Sequence, residues 1–199
     1  MDYSPGLRGV VAGETEISTV GMEGTSLRYR GYDAIELTKT HTYEDVASLI
    51  IDDNLDGKLF KETFTDHYEN LINDKDLIKI IENLKVRQHP MDVMRTAISY
   101  IGEADESNKL EAASKVTAIA CLVIASYNEE PSGKLDADYT VASSLLPNTA
   151  SNQQHEALDD MLILYAEHGF NASTFAARVT ASTRSDLTSA IVSGVGTLK

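Results

Sequence analysis

Among the five histidines of this chain, His168 occupies the position best suited to chemistry. It follows the apolar run 162–165 and precedes Gly169, which is placed to take the left-handed turn beyond a helix end. Asn171 then has the residue type and position of an N-cap for a helix that starts at Ala172. An imidazole beside the free N–H groups of a helix start suits a carboxylate. The alternative is that His168 and Asn171 merely cap two helices, as Asn and Gly often do.

The other polar side chains give weaker signals. The segment 89–92, His-Pro-Met-Asp, is typical of a helix start, because proline needs no N–H there and an aspartate suits the helix dipole. Arg95 and Arg178 could face an anion, but arginines on helix surfaces usually face water or pair with acids. Three histidines lie among polar residues and are expected to be solvated: His41, His67 and His155.

The sequence carries no motif for metal, nucleotide or serine chemistry. It contains no His-x-x-x-His pair, and a single cysteine, Cys121, removes the zinc-binding cysteine motifs. Phosphate loops, nucleophile elbows and dinucleotide fingerprints are also missing from it. We therefore predict no metal site and no cofactor bound by this chain alone. Cys121 lies in an apolar stretch and is expected to be an inert, buried thiol.

The secondary structure that would position the candidate side chains is predicted to be mostly helical. Two β-prone runs, 17–20 and 26–29, are separated by Gly21 and Gly24 and predict a small hairpin within residues 1–32. From residue 33 to 199 helical periodicity prevails, and Thr42 can cap the first long helix. Further helices are expected over 57–71, 75–86, 91–102 and 108–128, with two or three in 138–168 and two in 172–198. We predict one mostly α unit spanning 1–199.

The pattern over 108–128 predicts a helix with one buried face. That face comprises Leu110, Ala113, Val116, Thr117, Ala120, Val123, Ile124 and Tyr127. The middle of the helix is apolar on all sides, which indicates burial among other helices.

Charge and hydropathy exclude two classes of partner. The 17 basic residues against 31 acidic ones give a net charge of −14, which disfavours nucleic acid and anionic membranes. No stretch reaches the roughly 18 apolar residues of a membrane span, and no export signal opens the chain. These features predict a cytoplasmic location.

Small residues dominate the last two predicted helices. Alanine, serine and glycine recur from Ala172 to Gly196, so helix backbones can approach closely there. A tight intramolecular core and a subunit interface both fit this composition, because an obligate interface resembles a core cut in half.

Four segments of the chain, in order, resemble the citrate synthase family, which includes the 2-methylcitrate synthases. The first is 6–18, with Gly-Leu-Arg-Gly-Val-Val-Ala-Gly-Glu-Thr followed by Ile-Ser, and the second is 29–33, with Tyr-Arg-Gly-Tyr-Asp. The third is 89–97, with His-Pro-Met-Asp-Val-Met-Arg-Thr-Ala. The fourth is the run from 167 to 179 and onward, which begins Glu-His-Gly-Phe-Asn-Ala-Ser-Thr-Phe-Ala-Ala-Arg-Val. The resemblance covers essentially the whole chain but only the first half of a family member, and it weakens between Glu129 and His155. In the family the last segment leads into Gly-Pro-Leu-His-Gly-Gly, which carries a catalytic histidine. Here the sequence ends first, at Lys199.

The resemblance implies a multi-helical large domain from an acyltransferase that condenses acetyl-CoA or propionyl-CoA with oxaloacetate. It implies that His168 binds oxaloacetate and that Asn171 lines the same pocket. It also implies that helices 172–198 contribute to a homodimer, and hence a homo- or hetero-oligomer. The family's catalytic aspartate and both catalytic histidines are expected after residue 199, so the resemblance places no catalytic residue in this chain.

Two hypotheses follow. In the first, the chain is the front half of such an enzyme and is inactive alone, and a second chain carrying the C-terminal half completes it. In the second, it is a non-catalytic binding or scaffold module that kept the fold and lost the reaction.

Overall fold

The computed structural model describes residues 11, 13–20, 26–102, 107–128 and 139–199. Within these ranges the chain forms a small antiparallel sheet followed by ten α-helices, which confirms the mostly α fold. The predicted hairpin connection at Gly21 and Gly24, and most of the segment 6–12, lie outside the described residues. The helices are α1 Ala34–Thr38, α2 Tyr43–Asp52, α3 Lys58–Ile72, α4 Lys75–Lys85, α5 Pro90–Tyr100, α6 Lys109–Ala125, α7 Val141–Leu145, α8 Asn152–Tyr165, α9 Ala172–Ser182 and α10 Leu187–Gly196.

The sheet has three short strands in sequential order, β1 Ser18–Thr19, β2 Arg28–Tyr29 and β3 Tyr32–Asp33. Ser18 pairs with Tyr29, and Arg28 pairs with Asp33, so both neighbouring pairs are antiparallel. The β1–β2 pairing confirms the predicted hairpin, whereas β3 was not predicted. Arg30 and Gly31, at φ values of 48° and 89°, make the two-residue turn that creates it.

Side-chain caps start most of the described helices, and α3, which begins after Gly57, is an exception. Thr42 and Asp45 form a reciprocal capping box at the start of α2. His89 accepts a hydrogen bond from the backbone N–H of Met91 while Pro90 fills the first turn of α5. These local interactions explain why the predicted helix boundaries agree with the structure to within a few residues.

The main core lies among α3, α4, α5, α6 and α7. Its largest buried side chains include Phe60, Phe64, Tyr68, Ile81 and Ile119. Cys121 belongs to this core, which confirms the predicted burial of its thiol, and that burial raises the pKa of the thiol to about 12.

The buried face predicted for α6 is wrong in part. Ile124 and Tyr127 are exposed, at 43% and 40%, although both belong to the predicted face. Ala118, Ile119 and Cys121 are buried instead. A helix that is apolar on all sides leaves periodicity unable to choose a face, so the helices packed against it decide which residues are buried.

A second, smaller core joins the sheet to α1, α2 and α8. It consists of Tyr29, Ala34, Leu37, Val46, Leu49 and Ile163. The hydroxyl of Tyr29 donates a hydrogen bond to the backbone oxygen of Ile163 at 2.8 Å, which fastens β2 to the last turn of α8. The sheet therefore supports the segment that follows α8.

Across the described ranges, no helix is long and apolar enough to cross a membrane.

Candidate functional site

His168 lies in the short connection between α8 and α9. The helix before it ends at Tyr165, so His168 stands three residues beyond the helix and not at its last position. Gly169 follows with φ at 85°, which confirms the predicted left-handed turn. The imidazole is exposed, so a ligand can reach it.

Asn171 caps α9 and also contacts His168. Its Oδ1 accepts the backbone N–H of Thr174 at 2.8 Å and the hydroxyl of Ser173 at 2.6 Å. These bonds confirm the predicted N-cap. On its other side, Nδ2 of Asn171 lies 3.0 Å from Nε2 of His168. The structure thus brings together the two side chains that the sequence singled out, through a direct hydrogen bond.

Glu167 also holds the connection, although its sequence neighbours did not indicate that role. Its Oε1 accepts the backbone N–H of Gly169, and the hydroxyl of Ser18 donates to the same oxygen at 3.2 Å. Ser18 belongs to β1 and is 149 positions away in sequence. Only the folded chain brings these residues together, so no local pattern could have indicated the contact.

Arg178 is the described cation closest in sequence to this connection. Its guanidinium lies over the ring of Phe170, 4.7 Å from the ring centroid, in a cation–π contact. It forms no ion pair with a described residue, whereas Arg95 pairs with Asp92 at 2.9 Å. Of the two arginines considered as anion ligands, Arg178 therefore remains available and Arg95 is engaged with a carboxylate.

A second group of ionisable residues lines a cavity of about 420 Å³ beside the start of α2. The lining includes His41, His155, Glu156, Asp159 and Asp160. Because its residues come from α8 and from the segments around α1, α2 and α7, sequence spacing did not indicate this cavity.

Asp159 in this cavity is tied to α2. Its carboxylate oxygens accept the backbone N–H of Tyr43 at 3.1 and 3.2 Å. The pKa of Asp159 is raised to about 6, chiefly by burial; the bond from Tyr43 opposes this increase, and repulsion from the buried carboxylate of Glu44 contributes to it. Glu44 itself accepts the backbone N–H of Val141 at 2.8 Å. These carboxylates join three helices, which is a structural role.

None of the three histidines expected to be solvated is fully exposed. His41 and His155 are half-buried in that cavity. His67 is half-buried as well, with its side chain 21% exposed and 3.9 Å from Glu111. Burial lowers the pKa of His67, because the charged form loses water, and Glu111 partly opposes that effect.

Within the described part of the chain, no three His, Cys, Asp or Glu side chains converge in a way that could hold a metal ion.

Comparison with known proteins defines the class. The family model described as "Citrate synthase, C-terminal domain" matches residues 6–199, so the chain belongs to the citrate synthase family. It is 36% identical over 208 residues to the 2-methylcitrate synthase of Shewanella oneidensis, with 98% of this chain and 56% of that protein covered. It is also 36% identical over 217 residues to the citrate/2-methylcitrate synthase of Bacillus subtilis, covering 99% of this chain and 57% of the relative.

Solved structures agree on the fold. Citrate synthase from Thermotoga maritima superimposes with a TM-score of 0.79 at 28% identity, covering 98% of this chain and 55% of that one. The Thermoplasma acidophilum enzyme, solved in a ternary complex with carboxymethyl coenzyme A and oxaloacetate, gives a TM-score of 0.80 at 20% identity over 96% of this chain and 54% of that one. The chain thus spans about half the length of the relatives it matches.

Proposed function

We propose that this chain forms part of a citrate synthase-type acyltransferase that condenses acetyl-CoA or propionyl-CoA with oxaloacetate. The observation that carries the proposal is the His168–Asn171 pair, bonded at 3.0 Å in an exposed connection within a chain that matches the family over residues 6–199. In this role the chain supplies scaffold, subunit surface and part of the oxaloacetate site.

The proposed task of His168 is to hold oxaloacetate by a hydrogen bond. Its imidazole stands at the start of α9, where free backbone N–H groups favour a negatively charged ligand. Arg178, stacked on Phe170, adds the positive charge closest in sequence to the connection among the described residues. Positioning a reactant in this way lowers the entropic cost of a reaction between two molecules.

The groups that transfer protons are proposed to come from polypeptide outside these 199 residues. Condensation needs a base to deprotonate the thioester carbon and acids to stabilise the enol and polarise the ketone. Nε2 of His168 is engaged with Asn171 and so is not free to act as the base, and the Asp159 carboxylate is engaged with the start of α2. We infer that a second chain corresponding to the remaining length of the relatives supplies the catalytic aspartate and histidines, together with the acyl-coenzyme A site.

Two surfaces of the chain have the exposed apolar residues that assembly with other polypeptides requires. On α8, Met161, Leu164 and Tyr165 are 56%, 40% and 80% exposed and lie on one face at helical spacing. We propose that the completing polypeptide packs on this face, directly before His168. Helix α9 has no buried residue, and Val179 on it is 50% exposed, which favours α9 and α10 (172–198) as a surface for a further subunit.

The proposal is tested by purifying the native protein and identifying what accompanies it by mass spectrometry. A companion of comparable size with a Gly-Pro-Leu-His-like segment, or the same segment in a longer form of this chain, supports the enzyme. Purification with neither, or with a full-length relative alone, supports the second candidate, a scaffold module without the reaction.

A further inference from the structure

The orientation of the Asn171 amide follows from its contacts. The backbone N–H of Thr174 points at one end of the amide at 2.8 Å. A backbone N–H can only donate, so that end must be the oxygen, and the hydroxyl of Ser173 donates to it as well, at 2.6 Å. The NH₂ group therefore lies at the other end, which faces His168.

The amide orientation determines the protonation of the His168 ring. Nδ2 of Asn171 lies 3.0 Å from Nε2 of His168, and an amide nitrogen donates hydrogen bonds but does not accept them. Nε2 must therefore be the unprotonated nitrogen of the neutral ring. We infer that Asn171 is a positioning residue that holds His168 in the Nδ1–H tautomer, and so decides which kind of ligand atom the imidazole can bind.

This tautomer makes His168 a donor toward the ligand. Among the described residues Nδ1 has no hydrogen-bond partner, so its N–H is left for an acceptor. A carboxylate or keto oxygen fits that requirement, and a ligand N–H or O–H donor does not. The inference rests on the proposed function in one respect, because it assigns oxaloacetate's oxygen atoms as the acceptors.

The backbone that follows the ring is also held, at Gly169. The Glu167 carboxylate binds the N–H of Gly169 and the hydroxyl of Ser18, so the connection is fastened to β1. With the backbone and Nε2 both held, the direction of the Nδ1–H bond is set before a ligand arrives. Such preorganisation lowers the ordering cost of binding.

The test is long-range proton–nitrogen NMR of the histidine rings in the ¹⁵N-labelled 199-residue chain. The pH is set to about 8, where histidines of ordinary pKa are neutral. His168→Gln assigns the His168 signals. His89 is an internal reference of opposite tautomer, because its Nδ1 accepts the Met91 N–H at 3.2 Å and its proton is on Nε2.

The key variant is Asn171→Asp. Aspartate keeps the helix cap but presents an acceptor oxygen where Asn171 presents its NH₂, so the His168 proton should move to Nε2. We expect the wild-type ring to be protonated at Nδ1 and the variant ring at Nε2, like His89. A wild-type proton on Nε2, or a variant spectrum unchanged from wild type, overturns the inference.

Oxaloacetate binding is measured separately in the completed enzyme. Asn171→Ser keeps a capping hydroxyl but removes the donor to His168, and the Kd for oxaloacetate should rise about tenfold. An unchanged Kd overturns the claim that Asn171 prepares the ring for its ligand. If the ring signals are as expected but the wild-type enzyme does not bind oxaloacetate, the tautomer assignment stands and the proposed function fails.

Discussion

His168 contributes to the proposed site through one exposed imidazole held by one neighbour. The 3.0 Å contact with Asn171 leaves the rest of the ring to a ligand. Removing the ring should therefore affect binding more than folding, because no buried packing is lost with it.

His168→Ala should weaken oxaloacetate binding in the completed enzyme by more than about 1 kcal/mol, because it deletes a hydrogen bond to a charged group. The midpoint of denaturant unfolding should stay within experimental error of wild type. His89→Ala is the matched control: it removes the α5 cap and should lower stability without changing affinity. Equal affinities for wild type and His168→Ala would remove His168 from the proposed oxaloacetate site.

Asp159 should make stability depend on pH in a definite direction. The pKa of its carboxyl group is about 6 in the folded chain, above the 3.8 of an unperturbed aspartate. The folded state therefore binds this proton more tightly than the unfolded state does. Above pH about 6 the ionised Asp159 destabilises the fold, and this destabilisation disappears as the pH falls toward 4.

Asp159→Asn removes that dependence while keeping an oxygen for the Tyr43 N–H. We expect the free energy of unfolding of the variant, minus that of wild type, to be larger at about pH 7.5 than at about pH 5. The reason is that wild type gains stability from protonation of Asp159 at the lower pH and the variant does not. Urea unfolding of both proteins at the two pH values measures the difference. A difference that does not change with pH would show that Asp159 titrates normally.

Glu167 is a site residue whose contact could not be predicted from the sequence. Asn171 and Gly169 carry local signals, because capping and left-handed turns depend on neighbouring residues. The partner of Glu167 is Ser18, and that contact depends on how β1 packs against the end of α8. Site residues defined by local geometry were therefore predictable, and those defined by long-range packing were not.

Among the helices, the contact between the start of α3 and the start of α2 is very close. A Cβ added at Gly57 would lie 2.5 Å from the carbonyl carbon of Glu44 and would also collide with the backbone nitrogen of Asp45. The Gly57 N–H donates to the Asp45 carboxylate at 2.8 Å, so the close approach serves the α2 capping box.

Gly57→Ala should destabilise the chain by about 1–3 kcal/mol, because backbone atoms must move apart to admit the methyl group. Gly196→Ala is the control, since its Cβ would meet only the Arg95 side chain at an ordinary 3.6 Å. Thermal unfolding of the two variants measures both effects. Equal stability of Gly57→Ala and wild type would mean that α2 and α3 are less closely packed than the structure shows.

Helix boundaries and helix faces differ in how well sequence predicts them. Thr42 and Asn171 mark helix starts by capping chemistry that operates within a few residues. The buried side of α6 depends on α3, α5 and α7, which pack around it. The apolar pattern of α6 was enough to predict a helix there but not to predict which of its faces is buried.

For the whole molecule, assembly is expected to depend on the exposed face of α8. Leu164→Glu should weaken association with the completing polypeptide by more than about 1 kcal/mol, because it places a charge in an apolar contact. Leu59→Glu, at a residue 54% exposed on α3, should leave association unchanged. Titration calorimetry measures both affinities, and equal binding by the two variants would remove α8 from the proposed interface.

The charge of the whole chain also favours a site that is completed by other polypeptide. A net charge of −14 opposes the approach of anionic substrates, and oxaloacetate and acyl-coenzyme A both carry negative charge. Further positive charge at the complete site is proposed to come from polypeptide outside these residues.

The most direct test of this account is the rate at which the purified 199-residue chain releases coenzyme A from acetyl-CoA or propionyl-CoA in the presence of oxaloacetate. We predict no release above background from the chain alone, and release when the completing polypeptide is added. Turnover by the chain alone, in a preparation freed of contaminating synthase, would contradict the claim that the reacting groups lie outside it.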